Sequence, residues 1–259
     1  MAFPRRLFTR VVIIVIIGVA LLYGGVLFYT QVLNDAPDAL STADLDAALG
    51  ATSTTAAATT VVDTTIASST SAPVTSTTSG EPAAERTGVR WAVDEGSQVG
   101  YRVAEVLFGV NTEGVGRTDQ VTGGVTIDEG MLTEATFEVD VASITSDDGR
   151  RDNQFRGRIM DATTYPTATF SLTEAIDLAA STDEGVEVSV EVPGDLTLRG
   201  VTQSVIASIT ARVENGRIGL LGSVPVLFTD FDIVDPSLPG ITVEPDGLVE
   251  FVLVLSVEA

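Results

Sequence analysis

Arg151, Arg156 and Arg158 stand within eight residues of one another and form the only cationic cluster beyond the first thirty residues of the chain. A guanidinium forks onto phosphate or carboxylate, so this cluster could hold the head group of an anionic ligand. The competing reading is structural, with Arg151 and Asp152 in an ion pair that fixes a helical segment to a strand. Carboxylates offer two further chemistries. Asp147 with Asp148, and Asp230 with Asp232, could act as acid and base or hold calcium, since both uses need clustered carboxyl oxygens. Asp147 and Asp148, however, lack an EF-hand spacing and stand where a helix cap is needed, while Asp230, Asp232 and Asp235 lie in a turn-rich stretch ending in Pro236. The 259 residues include no Cys and no His. Disulfides, thiol catalysis, Ser-His-Asp machinery, Cys/His zinc sites and haem are thereby excluded. The reading is of a protein that is not an enzyme, with no metal site and no cofactor.

Those candidate groups must be positioned by strands. From Val89 onward the sequence alternates apolar and polar residues with period two, as in Val186-x-Val188-x-Val190-x-Val192 and Val205-x-Ala207-x-Ile209-x-Ala211-x-Val213. Each such run reads as an antiparallel strand with one buried face. The runs are 89–93, 98–108, 119–127, 132–142, 167–173, 186–192, 201–213, 217–228 and 249–257, which makes eight or nine strands. Eight antiparallel strands can close into a barrel whose interior holds side chains or one small ligand, and a sandwich fits the same periodicity nearly as well. Residues 146–160 break the alternation: Asp147 or Asp148 can cap a helix that carries Phe155 and Ile159 four residues apart. Tyr165-Pro166 then returns the chain to an extended strand. Phe108, Phe137, Phe155, Phe170, Phe228 and Phe251 could line an interior tunnel, although aromatics at strand spacing are first of all core. Trp91 and Tyr101 could line the same tunnel, although they read first as core residues that close one end, and Ala207, Ala211 and Gly222 leave room inside.

The region before the strands divides in three. Residues 1–10 carry Arg5, Arg6 and Arg10; Val11 to Tyr29 then run without a charge. As a helix that run reaches about 28 Å, close to the bilayer core of roughly 30 Å, so 11–30 reads as an uncleaved transmembrane anchor. Arginines before the span and aspartates after it place the N-terminus in the cytoplasm and the rest outside. Residues 31–88 are rich in Thr, Ser, Ala and Pro and read as a disordered stalk, interrupted by one short helix with Ser41 or Thr42 as cap, Leu45 and Leu49 on one side and Gly50 as stop. The net charge of -22, with a pI near 4.1, argues against nucleic acid as partner and keeps a surface domain solvated.

Six short strings give the domain 89–259 a further likeness. Trp91-Ala-Val-Asp94, Gly123-Gly-Val-Thr-Ile-Asp128, Asp140-Val-Ala-Ser-Ile-Thr145, Arg151-Asp152 with Phe155-Arg156, Tyr165-Pro166-Thr-Ala-Thr-Phe170 and Gly194-Asp-Leu-Thr-Leu-Arg-Gly-Val-Thr202 follow in an order that resembles the YceI-like family of lipid-binding proteins. The resemblance implies an all-β fold, an eight-stranded antiparallel lipocalin-like barrel with a short helical segment, holding an isoprenoid or other long-chain amphiphile. Each buried methylene contributes about 0.8 kcal/mol, so a long chain inside a barrel needs no strong polar contact. Two positions depart from the family: Gln154 and Arg199 stand where relatives often carry His. Arg199 thereby joins Arg151, Arg156 and Arg158 as a head-group candidate. The alternative is a surface interaction module whose barrel is packed and ligand-free. For the orientation, a protease applied outside intact cells is expected to remove the barrel and leave the span; protection of the barrel would overturn it.

Overall fold

The computed structural model describes residues 16–18, 24–25, 36–50, 88–178 and 184–258. The first element with a full outline is a helix, α1 (Thr42–Gly50), followed by strands β1 (Val89–Val93), β2 (Gln98–Leu107), β3 (Val110–Thr118), β4 (Val121–Asp128) and β5 (Met131–Asp140). A short β6 (Thr145–Ser146) leads into the helix α2 (Gly149–Gln154) and a π-helical turn, Phe155–Ile159. Then come β7 (Thr167–Leu172), β8 (Ile176–Asp177), β9 (Glu187–Leu198), β10 (Val201–Glu214), β11 (Arg217–Leu227), β12 (Ile241–Val243) and β13 (Asp246–Val257).

Eight of these make a closed ring in the order β1-β4-β5-β7-β9-β10-β11-β13, and the ring shuts because β13 pairs back onto β1, with Val93 opposite Leu255. Strands β2 and β3 prolong β1 and β4 past one end of that ring, and β2 also pairs with the first half of β13. The choice between barrel and sandwich is thus settled by closure, which alternation by itself left open. Tight hairpins set the register. Phe108-Gly109, Glu129-Gly130, Arg199-Gly200 and Asn215-Gly216 each place two successive residues at positive φ, the geometry of a two-residue turn whose twist matches the strands it joins.

One strand escapes the sequence pattern. Val110–Thr118 contains Gly114 and Gly116 and has little alternation, because its inner face is made of missing side chains. A Cβ on Gly116 would lie 2.5 Å from the Tyr101 ring and one on Gly114 would lie 2.4 Å from Glu105 Oε1.

The inner face holds two apolar clusters. One, around Val99, Val125, Ile218, Leu253 and Leu255, fills the end of the barrel near the Asn215-Gly216 turn, and Trp91 packs against it. The other, around Val141, Phe155, Leu196, Ala207, Val226 and Phe231, surrounds the half nearer the helical segment.

Residues 36–50 of the expected stalk are described and lie against the barrel. The short helix is present, but Leu45 and Leu49 are buried against Val252 and Val254 on the outer wall of β13. The close approach needs Gly219, where a Cβ would meet both leucines at 2.7 Å. Arginines finish the clamp: Arg212 bonds Asp46, Arg217 donates to the Leu49 carbonyl, Arg102 to Pro37 O at 2.8 Å and Arg117 to Asp38 O at 2.6 Å. Apolar side chains in a low-complexity segment therefore serve as a strap. The remainder of the expected stalk, 31–35 and 51–87, and nearly all of the expected span 11–30 lie outside the described residues. Among the described residues no helix is long and apolar enough to cross a membrane. Leu45→Ala is expected to destabilise the domain by about 2–5 kcal/mol, read as a lower midpoint in urea; an unchanged midpoint would show the strap to be dispensable.

Candidate functional site

Between the packed end and the helical segment the barrel interior is open. A cavity of about 200 Å³ runs along β13 from Leu253 to Gly247, a path of ~20 Å at strand spacing, and opens beside Pro236, Val243 and Leu248. For scale, an engineered apolar cavity of about 150 Å³ holds benzene and stays dry. The walls are almost wholly apolar. Tyr101, Phe137, Phe155, Phe170, Phe228 and Phe251 line it, whereas Trp91 lies in the packed end and Phe108 sits exposed at a hairpin tip. Of the three small positions, Ala207 lines the cavity, but the space over Gly222 is taken by the Phe251 ring, 2.6 Å from where a Cβ would stand. Ala211 is not among the lining residues.

The helical segment makes one side of the opening. Asp148 caps α2 by accepting from Arg150 N at 2.7 Å, which fixes the first turn. The turn that follows is wound as a π-helix, a form that recurs at functional sites, and it sends Phe155 and Ile159 into the cavity. Phe155 stacks on Tyr101 with ring centroids 4.7 Å apart. Tyr101 has its hydroxyl pushed above the usual phenol range, chiefly by burial.

Beside these rings stands the polar feature of the interior. Arg151, from α2, reaches Glu105 on β2 at 3.6 Å and bonds Asp147 one turn earlier. Glu105 points inward because it follows Val99, Tyr101 and Val103 at alternate positions. Burial raises its carboxyl above the ordinary value, and the charge of Arg151 opposes that rise. Sequence reasoning passed over Glu105, although an acid on the apolar face of an alternating strand is a readable signal.

The four head-group candidates part company here. Only Arg151 lines the cavity. Arg156 donates to the carbonyls of Ala142 and Ile144, and Arg158 to those of Asp235 and Pro236. Arg199 occupies the first position of a hairpin turn and donates to the Asp232 carbonyl, so it ties two loops together outside the cavity. Gln154 ends α2 and is not a lining residue either. The expected Arg151–Asp152 pair is divided: Arg151 does join the helical segment to a strand, while Asp152 accepts from Ser146 N at 2.8 Å and Ser146 Oγ at 2.6 Å. Tyr165 and Pro166 set a turn, with Tyr165 seated over Gly200 and Pro166 O accepting from Val141 N. Among the described residues no group of three or more acidic side chains could hold a metal ion.

A YceI-like domain profile matches residues 91–255. The chain belongs to the YceI-like family. A UPF0312 protein of Vibrio parahaemolyticus is 30% identical over 129 residues, 46% of this chain and 64% of the relative. The chain thus spans less than two thirds of that relative's length. A UPF0312 protein of Vibrio cholerae is 32% identical over 143 residues, 50% of this chain and 72% of the relative. Among solved structures, the polyisoprenoid binding domain from Saccharophagus degradans implicated in plant cell wall breakdown is 20% identical. It matches with a TM-score of 0.54 over 66% of this chain and 99% of its own. That likeness concerns the fold.

The pair Glu105–Arg151 makes a pH prediction. A carboxyl whose folded pKa is raised binds more protons in the folded state, so its contribution to stability is present at low pH and is lost as pH rises through that raised value. In urea melts from pH 4 to 8, Glu105→Gln should therefore fall less in stability with rising pH than the parent; parallel curves would show that burial does not perturb Glu105.

Proposed function

We propose that the protein binds an isoprenoid or other long-chain apolar amphiphile in the barrel interior, with the tail against the aromatic walls and the head group beside Tyr101, Glu105 and Arg151. The observation that carries this reading is the open, aromatic-lined cavity in a member of the YceI-like family. The polyisoprenoid binding of the Saccharophagus degradans domain agrees with it. The alternative of a packed, ligand-free interaction module asks for an interior filled at both layers, and the half of the barrel beside the helical segment is not filled. On this reading the protein is a binder, anchored in the cell membrane by residues 11–30 with the barrel on the extracytoplasmic side.

The charges at the opening select among head groups. Arg151 already faces two carboxylates, those of Glu105 and Asp147, so the group carries net negative charge while Glu105 is ionised. A phosphate there meets like charge, whereas a hydroxyl can bond to either sign. The purified domain is expected to carry an apolar molecule that organic extraction and mass spectrometry detect, and to hold a prenyl alcohol roughly tenfold or more tighter than its phosphate. Ala207→Phe, which fills the cavity from β10, should lower occupancy with the circular dichroism spectrum unchanged. Equal occupancy in parent and variant would overturn the binding reading, and tighter binding of the phosphate would overturn the head-group assignment.

A further inference from the structure

The strap changes what the low-complexity segment can do. If 51–87 were a spacer between anchor and barrel, the barrel would stand away from the bilayer. The chain, however, touches the barrel before that segment begins, at Pro37, and Gly50 and Gly88 are both at the domain. The segment 51–87 thus follows the chain's first contact with the barrel and does not lie between that contact and the uncharged run. What separates the uncharged run from the barrel is only 31–36.

That tether has a limited reach, and the reach has a direction. From Thr30 to Pro37 the chain can extend to about 25 Å at full stretch. Pro37 is fixed by Arg102, which stands five residues from Leu107 at the cavity end of β2 and opposite Leu248 on β13. At strand spacing, ~17 Å separate it from the hairpin tip at the open end, and ~30 Å separate Leu248 from Val257 at the packed end. The tether spans the first distance and not the second. Continuity agrees, because from Pro37 the strap runs towards the packed end, where Leu49 O meets Arg217.

The open end also presents exposed apolar side chains. Phe108, at its tip, is 60% exposed with φ 49°, a left-handed conformation that is rare for a bulky side chain. Leu238, whose backbone bonds Ile241 opposite Leu107, is exposed at the same end, and Leu248 is exposed beside the cavity. Apolar groups clustered on a surface mark membrane or partner contacts. Asp232, Asp235, Glu244 and Asp246 lie at the same end, which suits a zwitterionic surface over an anionic one.

We propose that the strap and its short tether turn the open end of the barrel towards the bilayer and hold it there, so that the cavity opens onto the lipid surface from which its ligand is drawn. This rests on residues 11–30 being a membrane anchor, and the test separates the two. The chain has no Cys, so Leu238→Cys and Asn215→Cys give unique labelling positions at the open and packed ends. The full chain is reconstituted in phosphatidylcholine vesicles, labelled with a fluorophore and quenched by nitroxide phosphatidylcholine. With the two ends ~45 Å apart along the strands, quenching should be at least about twofold stronger at position 238 than at 215. A chain that fails to float with the vesicles overturns the anchor and the proposal together. A chain that floats with equal or reversed quenching overturns the orientation alone. Inserting about 20 Gly/Ser residues after Asp35, which adds a coil of roughly 25 Å, should erase most of the contrast with the barrel untouched; undiminished contrast would overturn the tether's part in it.

Discussion

The fold depends on β13 being buried on both faces. Its inward residues, Val249, Phe251, Leu253 and Leu255, line the cavity or plug the packed end, and its outward residues Val252 and Val254 lie under α1. Along one edge it pairs with β11; along the other it pairs first with β2 and then with β1, and that last contact shuts the ring. A barrel has no edge strands only if closure is complete, so a fault in this strand would open the interior and expose unpaired backbone at once. The strand that closes the container also forms its floor and carries its external brace.

Glu250 shows what the external burial requires. On the outer face of β13 it is almost wholly buried, between Arg102 at 3.1 Å and Arg117 at 2.7 Å. Removing two or three charges from water costs several kcal/mol per ion, and such a group persists where each member is paired and hydrogen-bonded. Here the arginines find the remaining partners in Glu113 and in the strap carbonyls of Pro37 and Asp38. The network thus selects the strap's path rather than adding much net stability, and the leucines of α1 contribute the attraction. A strongly acidic chain with few cations spends four arginines here, which is a measure of how tightly the segment is specified.

The interior follows the opposite logic. Aromatic rings supply the walls, while glycines on β3 admit Tyr101 and Glu105. The charged side chains at the opening, Arg151 between Glu105 and Asp147, carry a net negative charge, so the tail contributes most of the affinity expected of a ligand and the head group decides its identity. The π-helical turn couples the two, since it carries Phe155 onto Tyr101 while the helix before it carries Arg151 to Glu105.

Much of this was legible in the residues themselves, because period-two alternation is a local property and the family strings are local too. The long strands from Met131 onward, the helical segment with its cap, the short helix at Leu45 and Leu49, and the aromatic residues that line the cavity could be read that way. Strand β3 could not, because its glycines answer to side chains on β2 that only pairing brings opposite. Nor could the fates of Arg199, Arg156 and Arg158, since a guanidinium's partner is set by which loops meet, and these arginines met backbone carbonyls. Closure of the ring, the inward turn of Glu105 towards Arg151, and the docking of α1 are contacts between residues far apart in the chain. Sequence determined which faces are apolar; only the tertiary structure decided which of those faces meet, because burial rewards any apolar partner and geometry alone selects among them.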